Sequence, residues 1–138
     1  MYQQILVPID PTKKDFGSRA LPLAIELARL IGAKLNAVTV VPDVTALPNL
    51  PANYAEETKK GVRETVQGLI GELNADIPLA VREGSIYRQI LEEAENIGAD
   101  LIIIAAEKHK ITDFLLGTNA NQVVRHANCS VHVMRVPD

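Results

Sequence analysis

The chain has 138 residues, of which 47% are hydrophobic and 22% charged, as in a single globular domain rather than a disordered chain. Its 17 acidic and 14 basic residues give a net charge of −3, which offers no electrostatic support for a nucleic-acid or membrane-surface partner. The single cysteine, Cys129, excludes an intrachain disulfide and fits a reducing compartment. We therefore expect one cytoplasmic domain over residues 1–138, with neither a signal peptide nor a membrane span.

Short apolar runs alternate along the chain with longer segments of helical spacing. Several runs are apolar almost throughout, which is typical of strands covered on both faces, and Pro8 suits the end of the first. The predicted strands are residues 5–9, 35–41, 79–81, 101–105 and 131–136. The predicted helices run from Leu21 to a stop near Gly32, along the apolar stripe from Val62 to Leu73, from a cap at Ser85 to Gly98, and from a cap at Thr118 to Ala127.

This order predicts an α/β fold, a doubly wound five-stranded parallel sheet with helices on both faces. The run 79–81 is the shortest and suits an edge strand. If the fourth strand returns beside the first, the winding direction reverses between them, and ligands of such sheets bind at that point, at the carboxyl ends of the strands. Two loops would then meet there, residues 10–16 and 106–116.

Each of these loops offers a candidate for ligand binding, together with a simpler reading. Asp10 directly follows a buried strand, where its carboxylate could accept a hydrogen bond from a ribose or hold a hydrated Mg²⁺, or could merely begin a turn before Pro11. Gly117 and Thr118 precede a helix whose free N–H groups favour an anion, although both residues are ordinary at helix starts. Lys108 and Lys110 add positive charge nearby, although Glu107 opposes it and the cluster could simply be a solvated loop.

Other features carry less chemistry. The loop 42–51 contains three prolines and is either a flap over a site or a surface excursion. The three histidines lack metal-ligand spacing, Cys129 is best explained by packing, and the common phosphate-loop, dinucleotide and nucleophile-elbow motifs are absent from the sequence. The sequence therefore indicates no catalytic residue.

Four segments resemble the universal stress protein family, and the resemblance covers the whole chain in order and in length. Within the family the sequence looks most similar to the F type. The matching segments are Ile5-Leu6-Val7-Pro8-Ile9-Asp10, Val38-Thr39-Val40-Val41-Pro42, Gly98-Ala99-Asp100-Leu101-Ile102-Ile103 and, most specific, residues 115–131 around Gly117-Thr118-Asn119-Ala120.

The resemblance implies the Rossmann-like sheet order 3-2-1-4-5 of the adenine-nucleotide alpha-hydrolase type. It further implies an adenine-nucleotide site, for ATP with Mg²⁺ or for AMP, and a homodimer paired through the last strand, from Ser130 to Val136. The residues matching the family's nucleotide contacts are Pro8, Ile9 and Asp10 along the nucleotide, Val40 at adenine, and Gly117, Thr118, Asn119 and Ala120 at the phosphates.

The sequence departs from the family's Gly-x2-Gly-x9-Gly-Ser/Thr motif at the first two glycines. Counting back from Gly117 gives Ile104 and Glu107, or Ala105 and Lys108 if the loop has one deletion. A carboxylate aimed at a triphosphate would repel it, whereas an inward Lys108 would preserve the site. We therefore expect a stress-response module that binds an adenine nucleotide with at most slow hydrolysis. The alternative is a nucleotide-free dimeric adaptor of the same family.

Overall fold

The computed structural model describes residues 1–12, 21–43, 47–106 and 118–135. Each predicted strand and helix is present in the described part of the chain. The elements are β1 (Gln4–Pro8), α1 (Leu21–Ile31), β2 (Lys34–Val41), α2 (Tyr54–Glu72), β3 (Leu79–Glu83), α3 (Ile86–Ile97), β4 (Leu101–Ala105), α4 (Thr118–His126) and β5 (Ser130–Met134).

The strands form one parallel sheet in the order β3-β2-β1-β4-β5. This order confirms the predicted doubly wound α/β fold, with β3 at an edge and the reversal between β1 and β4. The hydrophobic core has two halves, one on each face of the sheet. Ile5, Val7 and Ile9 of the first strand segment pack with α1 and α2, whereas Leu6 packs with α3 and α4. The alternation of side chains along a strand explains this division.

Helix α2 begins at Tyr54, eight residues before the predicted apolar stripe. Its first two turns are polar and largely exposed, so no apolar periodicity reveals them in the sequence. Glu56 and Glu57 in the first turn favour a helix start there, because their negative charges are attracted to the positive end of the helix dipole.

The predicted helix ends are confirmed at two glycines and need correction at two caps. Gly32 and Gly98 adopt φ values of 71° and 65°, the left-handed conformation that glycine adopts without strain. Ser85 occupies the cap position of α3, and its carbonyl accepts the first helical bond, from the N–H of Gln89 at 3.0 Å, but its side chain makes no capping bond. Thr118 is the first residue of α4 rather than a cap before it.

Asp100 joins the beginnings of the two central strands. Its carboxylate accepts the backbone N–H of Gln3 at 2.9 Å and that of Gln4 at 3.0 Å, while its own N–H donates to the carbonyl of Gln4 at 3.0 Å. These bonds favour the charged carboxylate, and the bond from Gln3 contributes most to holding the pKa of Asp100 below its usual value. The side chain thereby helps to set the start of β1 against β4.

We expect Asp100→Asn to reduce stability at neutral pH and to leave the variant less sensitive to acid. Because the folded-state pKa is lowered, the contribution of Asp100 is present above the unfolded pKa and is lost as the pH falls through the folded one. Urea unfolding of both proteins between pH 3 and pH 7 measures this, and the two free energies of unfolding should converge towards low pH. A constant difference across that range would contradict the assignment.

Candidate nucleotide site

The candidate site lies at the carboxyl end of β1, which stops short of the neighbouring strand β2. Pairing of β1 with β2 ends at Pro8 opposite Val38, and the last backbone bond between the two segments runs from the N–H of Ile9 to the carbonyl of Val38 at 2.8 Å. Strand β2 continues to Val41, paired on its other side with β3. A recess is therefore left above the end of β1, flanked by β2 and β4.

A turn carries the chain away from the sheet immediately after Ile9. One carboxylate oxygen of Asp10, Oδ1, accepts the backbone N–H of Thr12 at 2.9 Å and its hydroxyl at 2.6 Å. Aspartate commonly forms such turns, and Pro11 between the two residues has no N–H to extend the ladder. The simpler reading of Asp10 as a turn former is thus confirmed for Oδ1, while Oδ2 takes no part in the turn.

The early end of β1 leaves the backbone of Val40 without a partner among the described residues. The N–H of Ala37 donates to the carbonyl of Pro78 and the carbonyl of Val41 accepts the N–H of Gly84, so both point towards β3, whereas the carbonyl of Val38 accepts the N–H of Ile9 on the other side. Since these groups alternate in direction along a parallel strand, the N–H and C=O of Val40 face the recess. One donor and one acceptor thus lie side by side at its edge.

The recess is a cavity of about 300 Å³, at the lower end of the range of about 300–1,000 Å³ that is common for small-molecule sites. Its wall is mostly aliphatic, with a few polar side chains. The polar lining residues in the described part of the chain are Asp10, Thr12, Thr58 and Asn119. The apolar ones are Pro8, Ile9, Pro11, Val38, Val40, Val41, Pro42, Val62, Ile86, Ile90, Ile104, Ala105 and Ala120.

Seven of the ten candidate site residues therefore line one cavity: Pro8, Ile9, Asp10, Val40, Ala105, Asn119 and Ala120. Lys108 and Gly117 lie outside the described residues, as does the part of the proline-rich loop at positions 44–46. Thr118 is placed by its backbone, as the first residue of α4.

The walls supplied by α2 and α3 were not anticipated from the sequence. Thr58 and Val62 lie one turn apart on α2, and Ile86 and Ile90 one turn apart on α3. Extending the apolar stripe of α2 by one turn towards its start, from Val66 through Val62, would have reached Thr58, because positions four apart share a helix face. Because that turn is polar, the apolar pattern of the sequence did not indicate that it lines the cavity.

The last residues of β3 hold both wall helices by side-chain contacts. Arg82 lies opposite Val40 in the sheet and contacts three side chains of α3. These contacts are Nε to Gln89 Oε1 at 2.8 Å, Nη2 to Glu92 Oε2 at 2.8 Å and Nη1 to Glu93 Oε1 at 3.3 Å. Glu83 contacts α2 through Lys59 Nζ at 3.0 Å.

The described residues outside this cavity offer little competing chemistry. No group of three His, Cys, Asp or Glu side chains in the described ranges could hold a metal ion, and no described helix is sufficiently long and apolar to cross a membrane. A smaller cavity of about 180 Å³ is lined in part by His126, Asn128 and Cys129. Burial raises the pKa of the Cys129 thiol, which fits the packing role expected for this residue.

The sequence profile of the Universal stress protein family matches residues 1–135. The chain belongs to the universal stress protein family. It is 31% identical over 143 residues to universal stress protein G of Shigella flexneri, covering 98% of this chain and all of that protein.

Solved structures of the family have the same fold. Universal stress protein UspA from Lactobacillus plantarum superposes with a TM-score of 0.69 at 26% identity, over 97% of this chain and 98% of that one. The universal stress protein from Archaeoglobus fulgidus, solved in complex with dAMP, superposes with a TM-score of 0.65 at 25% identity, over 96% and 97% of the two chains. The Rossmann-like architecture expected from the resemblance is thereby confirmed.

The expected similarity to the F type is not supported. The bacterial relatives at 30–31% identity carry the G designation, among them the proteins of Shigella flexneri and Salmonella typhi. The segments on which the resemblance was based, such as Ile5 to Asp10, lie at the sheet and at the site. Such segments indicate the family without separating its types.

We expect Arg82→Met to destabilise the protein, because it leaves the carboxylate of Glu93, only 5% exposed, with the Asn96 amide at 3.1 Å as its remaining side-chain partner. The loss should be about 2 kcal/mol, since a nearly buried charge is left poorly compensated. Glu92→Gln is the matched control, because the Glu92 side chain is 59% exposed and its removal should cost less than about 0.5 kcal/mol. Urea unfolding compares the two variants, and equal losses would contradict the assigned role of Glu93.

Proposed function

We propose that this universal stress protein binds an adenine nucleotide in the cavity above β1. The observation that carries the proposal is the backbone N–H and C=O of Val40, which have no partner among the described residues. Adenine presents an acceptor at N1 beside a donor at its 6-amino group, which matches one N–H and one C=O of a single residue. A base bonded there would lie among aliphatic side chains of β2, α2 and α3, where its faces are shielded from water.

Groups farther along the cavity suit the sugar and the phosphates. Asp10 Oδ2 is available to a ribose hydroxyl, because the turn with Thr12 uses Oδ1. The first residues of α4 lie at the opposite end of the lining from α2, and the free N–H groups at a helix start favour a phosphate. We assign Gly117, Thr118, Asn119 and Ala120 to this phosphate end and Lys108 to the neighbouring loop.

A relative supports the ligand class. The universal stress protein from Archaeoglobus fulgidus has been solved in complex with dAMP, and its fold matches this chain over nearly its full length. That ligand combines an adenine base with a single phosphate. We therefore propose an adenosine monophosphate as the smallest ligand that would use both ends of the cavity.

ATP with Mg²⁺ is the larger ligand that we propose for the same site. Among the described lining residues, Asp10 alone carries a carboxylate, so a hydrated Mg²⁺ would take one protein ligand and complete its shell from phosphate oxygens and water. The ion would neutralise phosphate charge. Asp10 is also the one described lining residue that could act as a general base, and we assign it to the ribose or the ion, so we propose at most slow hydrolysis.

The proposal includes a cytoplasmic homodimer paired through the last strand, from Ser130 to Val136. Strand β5 pairs with β4 alone among the described strands, so its outer backbone edge is open to a second copy. The same edge would serve a nucleotide-free dimeric adaptor, which is the competing function. The replacement of both motif glycines favours the adaptor, whereas the retained Gly117-Thr118 pair and the Val40 edge favour nucleotide binding.

We expect the protein to bind AMP at least about tenfold more tightly than IMP, because a base with an oxygen at C6 and a hydrogen on N1 would set acceptor against acceptor and donor against donor at Val40. Isothermal titration calorimetry with the two nucleotides measures the ratio of the two affinities.

Gly117→Val tests the phosphate end of the site. The variant should bind AMP more weakly in the same titration, since a side chain at this position obstructs approach to the helix start.

Two results would contradict this assignment. Equal affinities for AMP and IMP would show that Val40 does not bind the base edge. Unchanged AMP binding by Gly117→Val would show that the phosphate lies elsewhere.

A further inference from the structure

Helix α2 contributes one hydroxyl to the cavity, and that hydroxyl has no partner among the described residues. The two threonines of the helix differ in this respect. Thr65 donates its hydroxyl to the carbonyl of Gly61 at 2.9 Å, as threonines within helices commonly do. Thr58 makes no such bond, although the carbonyl of Tyr54 lies one turn before it, and it lines the cavity.

The turn of α2 that carries Thr58 is held in place by its neighbours. Lys59 bonds to Glu83 at 3.0 Å, and the guanidinium of Arg63 donates to the carbonyl of Leu79 at 3.3 Å. Both contacts join α2 to β3, one at each end of that strand. These contacts therefore join the part of α2 that carries Thr58 to β3, which pairs with β2.

Thr58 lies at the base end of the proposed ligand. Helix α2 packs on β2 and β3, whereas α4 packs against β5 across the reversal of the sheet. Val41, Pro42 and Val62 line the cavity on the same side as Thr58 and offer no side-chain polar atom. Among the described residues of β2 and α2 that line the cavity, Thr58 is thus the one whose side chain has a polar atom.

We propose that Thr58 is a specificity-determining residue whose hydroxyl accepts a hydrogen bond from the 6-amino group of the bound base. That amino group can donate two hydrogen bonds. The carbonyl of Val40 accepts one of them, and the hydroxyl of Thr58 accepts the other. The inference rests on the proposed adenine site. It adds a side chain that discriminates between a 6-amino purine and a purine without that group.

The test compares Thr58→Val with the parent protein for two ligands, AMP and purine riboside 5′-monophosphate, which carries hydrogen in place of the amino group. Valine keeps the shape of threonine and removes the hydroxyl, so AMP should bind about fivefold more weakly, the loss of one hydrogen bond. Binding of the purine riboside monophosphate should be the same for both proteins. This pairing separates loss of the bond from a change in the shape of the wall.

Two further variants serve as controls. Thr58→Ser retains the hydroxyl and should bind AMP within about twofold of the parent, in line with a bond that depends on the oxygen alone. Thr65→Val removes a hydroxyl from the same helix away from the cavity lining and should leave the affinity unchanged. Circular dichroism and urea unfolding confirm that each variant is folded.

The outcomes separate this inference from the proposal beneath it. A parent protein that binds AMP while Thr58→Val binds it equally well would overturn the role of Thr58 and leave the adenine site standing. Equal weakening for both ligands would also overturn it, since the effect would not depend on the amino group. A parent protein that binds neither ligand at millimolar concentration would overturn the adenine site and this inference together.

Discussion

The site depends on one constraint, the early end of the central strand. Strand β1 stops pairing with β2 at Val38, and the turn built by Asp10 and Thr12 carries the chain out of the sheet. The neighbouring strand continues because β3 still pairs with it through Val41. The direct consequence is a recess where the N–H and C=O of Val40 lack partners in the described part of the chain, and unpaired backbone groups at a sheet edge are strong binding groups.

The recess is shaped by the helices on both sides of the sheet, and the last two residues of β3 hold them. Arg82 contacts α3, which supplies Ile86 and Ile90, while Glu83 contacts α2, which supplies Thr58 and Val62. Adjacent residues on a strand point to opposite faces, so a dipeptide can reach both helices. An edge strand that contributes no side chain to the described lining thereby fixes two of its walls. Such support is what a preformed pocket requires.

The sequence predicted the fold because its apolar runs are short, frequent and nearly unbroken. Those runs indicated buried parallel strands, and the doubly wound order followed from their alternation with helices. Asp10 was recognisable since ligands bind at strand ends near the reversal, and Pro8, Ile9 and Val40 through the family resemblance. The wall formed by Thr58 was not predictable in the same way, because a polar, exposed helical turn has no apolar period. The free groups of Val40 depend on the register of β1 against β2, which composition and spacing do not reveal.

The replaced motif glycines argue against nucleotide binding, whereas the geometry of the recess supports it. For the binding of the base, the geometry is the stronger argument. One replaced glycine position falls at the end of β4 and the other in the loop after it, at the end of the cavity to which we assign the phosphates, whereas Val40 and Thr58 belong to β2 and α2. Under the proposed placement, we expect a change in that region to affect the phosphate chain that is bound more than the base. The universal stress protein from Archaeoglobus fulgidus has been solved in complex with dAMP, a nucleotide with one phosphate.

The most direct test of the central claim is to purify the protein gently, denature it with acid, and identify any released nucleotide by chromatography and mass spectrometry. The protein should also be assayed after incubation with AMP, or with ATP and Mg²⁺, at millimolar concentration. An adenine nucleotide released at close to one molecule per chain is the expected result. A protein that releases no nucleotide under either condition would contradict the account.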